Sequence, residues 1–181
     1  MSGIQSFPPI AKPNAQIIIL GSIPGIASLT AGEYYAHPRN LFWRIIADLL
    51  NRPPLIDYPS KIQMLHNAQI ALWDVMQSCY RPGSLDAAIN KDSIVVNDFN
   101  NFFTNHPHIQ QVFFNGTTAE QAFRRLVLPS LTTQTLILQK LPSTSPAHAA
   151  MSYQQKLECW KQILGPVKHF PANQSQLIEL C

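Results

Sequence analysis

Gln16-Ile17-Ile18-Ile19-Leu20-Gly21-Ser22-Ile23-Pro24-Gly25 is the stretch on which the fold turns. Its first half is a short β-branched run bounded by Pro13-Asn14 and Gly21, the pattern of a strand buried on both faces. From Gly21 to Asn40 the chain carries Gly21, Pro24, Gly25, Gly32 and Pro38 among polar and aromatic residues. That is too long and too punctuated for an ordinary connection of roughly 2 to 6 residues, and long loops of this kind usually have a job. Leu41 to Leu50 then repeats apolar residues at helical spacing and stops at Asn51-Arg52-Pro53-Pro54.

Outward from this unit the same alternation continues. Ser60–Asn67 reads as a helix, Gln69–Val75 as a second strand, and Asp98–Asn105 as a short helix ended by Pro107. Ile109–Phe114 gives a third strand and Thr117–Leu128 a helix, with Thr117 and Glu120 at capping-box spacing. Thr135–Gln139 is the fourth strand. After a loop from Leu141 to Ala150, Ser152 and Gln155 repeat the capping-box spacing for a helix ending at Gly165. Strands alternating with helices predict an α/β fold: a three-layer αβα sandwich around a central, mainly parallel sheet of about four strands joined by right-handed crossovers. Ligands of such sheets bind beyond the carboxyl ends of the strands, so the loops after strands one, two and four are the places to look. The sequence contains no internal repeat or low-complexity segment. We expect one domain over 1–181, with a core at about 14–166 and a loosely held tail at 167–181.

Bulk properties narrow the class. With 181 residues and 46% hydrophobic content, one core suffices, burying roughly 70% of the unfolded surface. Only 13% of residues are charged, so Gln, Asn, Ser, Thr and His must solvate much of the surface. The formal charge of +3 is only weak support for a polyanionic partner. Ile17–Leu20, the longest aliphatic run, is far short of the ~20 residues a membrane span needs, and no export leader opens the chain. Cys79, Cys159 and Cys181 are scattered, with no CxxC pair and no Cys/His cluster at zinc spacing. A soluble, cytoplasmic monomer without cofactor or metal is expected.

The motifs are more specific. After the first strand come Gly21-Ser22-Ile23-Pro24-Gly25 and then Tyr34-Tyr35-Ala36-His37-Pro38-Arg39-Asn40-Leu41-Phe42-Trp43; after the fourth comes Leu141-Pro142-Ser143-Thr144-Ser145-Pro146-Ala147-His148. The first closely resembles motif one of the uracil-DNA glycosylase superfamily: a G-x-x-P-G turn, an aromatic residue near a proline, then Asn followed by Phe-Trp entering a helix. The second resembles that superfamily's serine-rich loop, which grips DNA and fills the space left by an extruded base. GSIPG, YYAHPRNLFW, ALWDV, RPGSLD and LPSTSPAH together are most similar to the hypoxanthine-DNA glycosylase branch, with matches from about residue 16 to residue 160. The resemblance implies a monofunctional glycosylase that hydrolyses the bond between a deaminated base and deoxyribose, leaving an abasic site. Hypoxanthine is the base it favours, with uracil, or a non-catalytic DNA-binding relative, as the alternatives.

Chemistry gives each residue type a reason. The reacting bond lies inside the duplex, so such an enzyme flips the nucleotide into a pocket, stacks the base, reads its edge and delivers water to C1′. Tyr35 falls where the family's stacking aromatic lies; it also fits a half-buried anchor for Pro38. Gly21, Ser22 and Ile23 would line the base. In the better-known branches the residue before the motif-one proline is Asp, Asn or Glu, but here it is Ile23, which can neither bind nor activate water. In the hypoxanthine branch the catalytic role is attributed to the Asn before Phe-Trp, which is Asn40 here. Its amide can position water but cannot act as a true general base, and Asn40 also fits a helix N-cap.

Asp74, at the end of the second strand, is assigned to base recognition, where a carboxylate accepts from hypoxanthine N1–H or uracil N3–H; it also fits a turn cap. Arg81, in RPGSLD, is placed either against a phosphate or against Asp86. Leu141 stands where several relatives carry a leaving-group His. His148 is a candidate for phosphate contact or base stabilisation, and equally an exposed loop His. Ser143, Thr144, Ser145 and neighbouring backbone amides suit phosphates, and Pro146 would be the wedge. Other enzyme classes fit poorly. The chain lacks G-x-x-x-x-G-K-[ST], G-x-G-x-x-G and the G-x-S-x-G elbow, three dispersed cysteines cannot supply four iron–sulfur ligands, and no Lys stands in these loops for lyase chemistry.

Overall fold

A computed structural model describes residues 3–54, 56–132 and 135–165. In chain order the elements are β1 (Ile4–Gln5), β2 (Ile17–Gly21), α1 (Ile26–Ala31), α2 (Phe42–Leu49), α3 (Tyr58–Asn67), β3 (Ile70–Asp74), β4 (Met76–Cys79), β5 (Val95–Val96), α4 (Phe99–Asn105), β6 (Gln111–Asn115), α5 (Thr117–Ala122), β7 (Ile137–Leu141) and α6 (Tyr153–Trp160). The principal sheet has the order β3-β2-β6-β7 and is parallel throughout. The expected α/β architecture is therefore present, with the first expected strand at the sheet's centre. Ile18, Ile19 and Leu20 of β2 are completely buried, so both faces of the strand are covered. Each such side chain contributes on the order of 2 kcal/mol by leaving water, and this is why an unbroken aliphatic run, rather than an alternating one, forms the strand.

Register is what positions the site. Ile17 lies opposite Ile70 on one side and Gln111 on the other, and the β2–β3 ladder ends with Gly21 opposite Asp74. On the far side Asn115 closes β6 opposite Leu141 of β7. The polar strand ends Asp74 and Asn115 thus lie at the same carboxyl edge, each at the mouth of a loop.

Several boundaries differ from expectation for identifiable reasons. The third strand, expected at Ile109–Phe114, is Gln111–Asn115, and the fourth, expected at Thr135–Gln139, is Ile137–Leu141. α3 begins two residues earlier than expected because the Asp57 side chain accepts from Ser60 N–H and Pro59 sits in the first turn, where its missing N–H costs nothing. The Thr117/Glu120 capping box does not form: Gly116, at φ 97°, occupies the cap position, and Glu120 pairs with Arg124 at 3.0 Å. The helix expected to run on to Leu128 leaves α geometry after Ala122, widening over Phe123–Val127 and tightening over Leu128–Ser130. Pro129 cannot supply an N–H and would clash with a carbonyl one turn back. The Ser152/Gln155 box does form and starts α6.

Two features were absent from the sequence reading. A small antiparallel sheet of order β1-β4-β5 brings the N-terminal segment beside the end of β3. The long first loop also contains α1, closed by Gly32 in the left-handed conformation. No helix among the described residues is long and apolar enough to cross a membrane. The tail expected at 167–181 lies outside the described residues.

Candidate active site

The first loop is built on aromatic packing. Tyr34 is buried; its hydroxyl donates to the Phe7 and Pro8 carbonyls, and its own carbonyl accepts from Trp43 Nε1 at 2.8 Å. Tyr35 adopts φ 55°, a left-handed conformation unusual for a bulky residue, and stacks on Phe42 with ring centroids 4.1 Å apart. One face of the ring is therefore occupied by the protein. Asn40 Oδ1 accepts from Phe42 N–H at 3.0 Å, while Leu41 holds the cap position of α2. The side-chain cap thus comes from Asn40, as its place before the helix suggested, although the helix itself starts one residue later, at Phe42. With the amide oxygen committed to the helix, Asn40 has its Nδ2 group to offer.

Asp74 is 3% exposed, and its Oδ2 accepts from Ser6 Oγ at 2.9 Å. Burial pushes the carboxyl up to about 7 and Asp86 adds to the rise, against the Ser6 hydrogen bond and Arg81, which lower it. Sequence reasoning treated this group as an acceptor only. Near neutral pH a large share of it carries a proton and can donate. The Tyr35 hydroxyl is buried nearby with no hydrogen-bond partner among the described residues, and burial followed by the Asp74 charge raises its ionisation well above the ordinary tyrosine range. A side chain on Gly21 would fall on Asp74 Oδ1 and come within 2.8 Å of Tyr35 Oη. Glycine is therefore required at 21 by close approach.

The 81–86 segment latches onto the first loop. Arg81 pairs with Asp86 Oδ1 at 3.3 Å and donates to the Gly83 and Pro24 carbonyls. Asp86 Oδ2 accepts from Ser22 Oγ at 2.8 Å, and Ser84 Oγ accepts from Ile26 N–H. Of the two placements for Arg81, the phosphate contact is corrected to Asp86: the side chain is 1% exposed, and Nε, Nη1 and Nη2 each donate to a group of the protein.

The serine-bearing loop is fixed from several sides. Asn115 Nδ2 donates to Thr144 Oγ1 at 2.8 Å and Asn115 Oδ1 accepts from Thr144 N–H at 2.9 Å, while Leu41 N–H donates to the Thr144 carbonyl. Thr144 is fully buried, so its expected DNA contact is also corrected; it is a clamp joining the loop to β6 and α2. Trp160 Nε1 donates to the Pro142 carbonyl at 3.0 Å, and Lys156 Nζ to the His148 carbonyl at 2.7 Å. Ser143 Oγ accepts from Ser145 N–H, and Ser145 Oγ from Ala147 N–H. The His148 ring is held below the usual imidazole range by desolvation and then by Lys156.

These loops surround one cavity of about 600 Å³. Its lining includes every residue singled out from the sequence: Gly21, Ser22, Ile23, Tyr35, Asn40 and Asp74, with Arg81, Ser143, Thr144, Ser145, Pro146 and His148. Sequence reasoning missed Ser6, the partner of Asp74 from 68 residues away, and Asn115, although a polar residue ending a strand at the carboxyl edge was a signal for the latter. Among the described residues no cluster of three or more His, Cys, Asp or Glu is arranged to hold a metal ion.

Fold and site define an α/β protein with a pocket of mixed polar and apolar lining at the carboxyl edge of a parallel sheet. The family model of the uracil DNA glycosylase superfamily matches residues 8–164, and the chain belongs to that superfamily. It is similar to a hypoxanthine DNA glycosylase of Methanosarcina acetivorans, 32% identical over 161 residues, which cover 88% of this chain and 96% of the relative. A hypoxanthine DNA glycosylase of Methanosarcina barkeri is 36% identical over 113 residues, 62% of this chain and 70% of the relative. Among solved structures, the chain resembles the solution NMR structure of a Methanosarcina acetivorans protein provisionally assigned as a uracil DNA glycosylase. The TM-score is 0.73 at 27% identity, covering 91% of this chain and all of the other.

Proposed function

We propose that this protein is a monofunctional DNA glycosylase that removes hypoxanthine from deoxyinosine by hydrolysis and leaves an abasic site. The observation that carries this reading is the convergence of Tyr35, Asn40, Asp74 and Ser143, from three separate strand-end loops, on one cavity. The two relatives named for hypoxanthine support the choice of base. In this reading the extruded base enters beside Tyr35, whose other face already rests on Phe42. Asp74 reads the base edge, and Asn40 Nδ2 holds the attacking water or the departing base. Ser143, Ser145 and the backbone amides around them receive the phosphates on either side of the flipped nucleotide, with Pro146 in the gap. A single domain acting as a monomer in a reducing cytoplasm is the proposed setting.

Purified protein incubated with labelled oligonucleotides carrying inosine, uracil, xanthine or no lesion, then treated with alkali, tests this. Strand breaks at inosine, fewer at uracil and none in the undamaged strand are expected. Cleavage at no deaminated base would overturn the reading.

A further inference from the structure

Ile23 leaves the first motif without a carboxylate, yet the cavity contains one from elsewhere in the chain. Asp86 lines the same cavity as Asn40, from the loop that follows β4, with its side chain 36% exposed. It is bound to Ser22, the immediate neighbour of Ile23, through Oδ2 at 2.8 Å, and to the buried Arg81 guanidinium through Oδ1 at 3.3 Å. Each carboxylate oxygen accepts one hydrogen bond and keeps a further lone pair. Asp74, the other carboxylate of the lining, is 3% exposed and tied to Ser6. His37 Nδ1 accepts from Arg39 N–H, and His148 belongs to the serine-bearing loop. Asn40 cannot take a proton, so hydrolysis in this cavity needs an acceptor that Asn40 does not supply.

We propose that Asp86 is the carboxylate of the reaction: held against Ser22 by Arg81, it accepts the proton of the attacking water and places negative charge beside the sugar as positive charge develops there. The inference rests on the glycosylase reading above. In the step proposed, the water oxygen bonds to C1′ as the bond from C1′ to the base nitrogen breaks. The electron pair leaves with the base, the water's proton passes to Asp86, and the base regains a proton from solvent. No other reactant is required. Glycosidases use a carboxylate for this transition state, and here it would arrive from a different loop than the superfamily's first motif. The Ser22 hydrogen bond and the ion pair fix its orientation, and the Pro24 carbonyl bound by the same guanidinium ties the latch to the G-x-x-P-G turn.

Asp86→Asn separates this role from that of a structural latch, because the amide oxygen can still accept from Arg81 and the amide N–H can donate to Ser22 Oγ, while the negative charge and the proton acceptor are lost. Single-turnover excision from an inosine duplex should fall by about 100-fold or more. The variant should still fold, with a lowered melting temperature because the buried Arg81 loses its counter-charge, and its affinity for abasic-site DNA should stay close to wild type. A rate within about threefold of wild type would overturn the proposal, since loss of a general base costs at least 10²-fold. Should the amide variant not fold, Asp86→Ala assayed with added formate decides it. A rate that rises with formate and not with chloride supports a missing carboxylate, and a rate indifferent to formate contradicts it. If wild-type protein excises nothing, the glycosylase reading itself has failed; if wild type excises and Asp86→Asn matches it, only the role of Asp86 has.

Discussion

Asp74 shows how a single buried group ties site to stability. Its carboxyl is taken out of water at the end of β3, where it accepts from Ser6 Oγ, and burial pushes its pKa up to about 7. The folded state therefore holds this proton more tightly than the unfolded chain, whose carboxyl titrates near ~3.9. The sign follows from linkage: between those two values the native state binds more protons, so the stability Asp74 contributes is fully present in acid and is lost as pH rises toward 7. Asp74→Asn should remove that slope, giving a protein relatively more stable than wild type at pH ~8 than at pH ~5, by up to a few kcal/mol. Denaturant unfolding at the two pH values checks this; identical pH dependence in both proteins would contradict it. Glycine at 21 belongs to the same account, because any side chain there would displace Asp74 or Tyr35.

At the scale of elements, α6 does for the serine-bearing loop what the 81–86 latch does for the first loop. Trp160 and Lys156 reach back from one helix to the Pro142 and His148 carbonyls, at opposite ends of the loop. Trp160→Phe keeps an aromatic ring in the core, removes one hydrogen bond and leaves part of the buried indole's volume unfilled. It should cost about 2–4 kcal/mol in stability, the unmet Pro142 carbonyl included, and weaken binding to abasic-site DNA severalfold. Thermal melting and fluorescence anisotropy measure the two effects, and unchanged affinity would mean that the loop holds its shape without the helix.

The same elements show what was readable in advance. The four-strand parallel sheet was legible because Ile17–Leu20, Ile70–Trp73 and Val112–Phe114 are apolar runs spaced by helical segments, and the cavity lining was legible because the motif loops follow the strands. Burial of Arg81 and Thr144 was not legible, because whether a polar side chain faces solvent or a neighbouring loop is decided by partners distant in sequence. Ser6 was invisible for the same reason: the small β1-β4-β5 sheet that carries it inward is made of two- and four-residue strands with no periodicity to detect. The failed Thr117 capping box reflects a local competition, since Gly116 takes the cap itself.

Over the whole molecule the design is a rigid parallel sheet with chemistry confined to one edge. The core strands contribute burial, and the polar strand ends Asp74 and Asn115 face the loops. Each loop is held by hydrogen bonds to another: Asp86 to Ser22, Thr144 to Leu41 and Asn115, Ser84 to Ile26. Such cross-bracing suits a site that depends on rigidly held groups, with Asn40 and Asp86 in the roles proposed above. Asn40 also steadies α2 through Phe42 N–H, so Asn40→Ala would mix a lost cap, worth about 1 kcal/mol, with lost chemistry. Serine at 40 can keep the cap through its hydroxyl while losing the amide. The most direct measurement is therefore chromatographic detection of free hypoxanthine released from an inosine-containing duplex by wild type and by Asn40→Ser. Release by wild type, reduced about 100-fold or more in the folded variant, is the predicted result. Equal release by both, or none by wild type, would contradict the account.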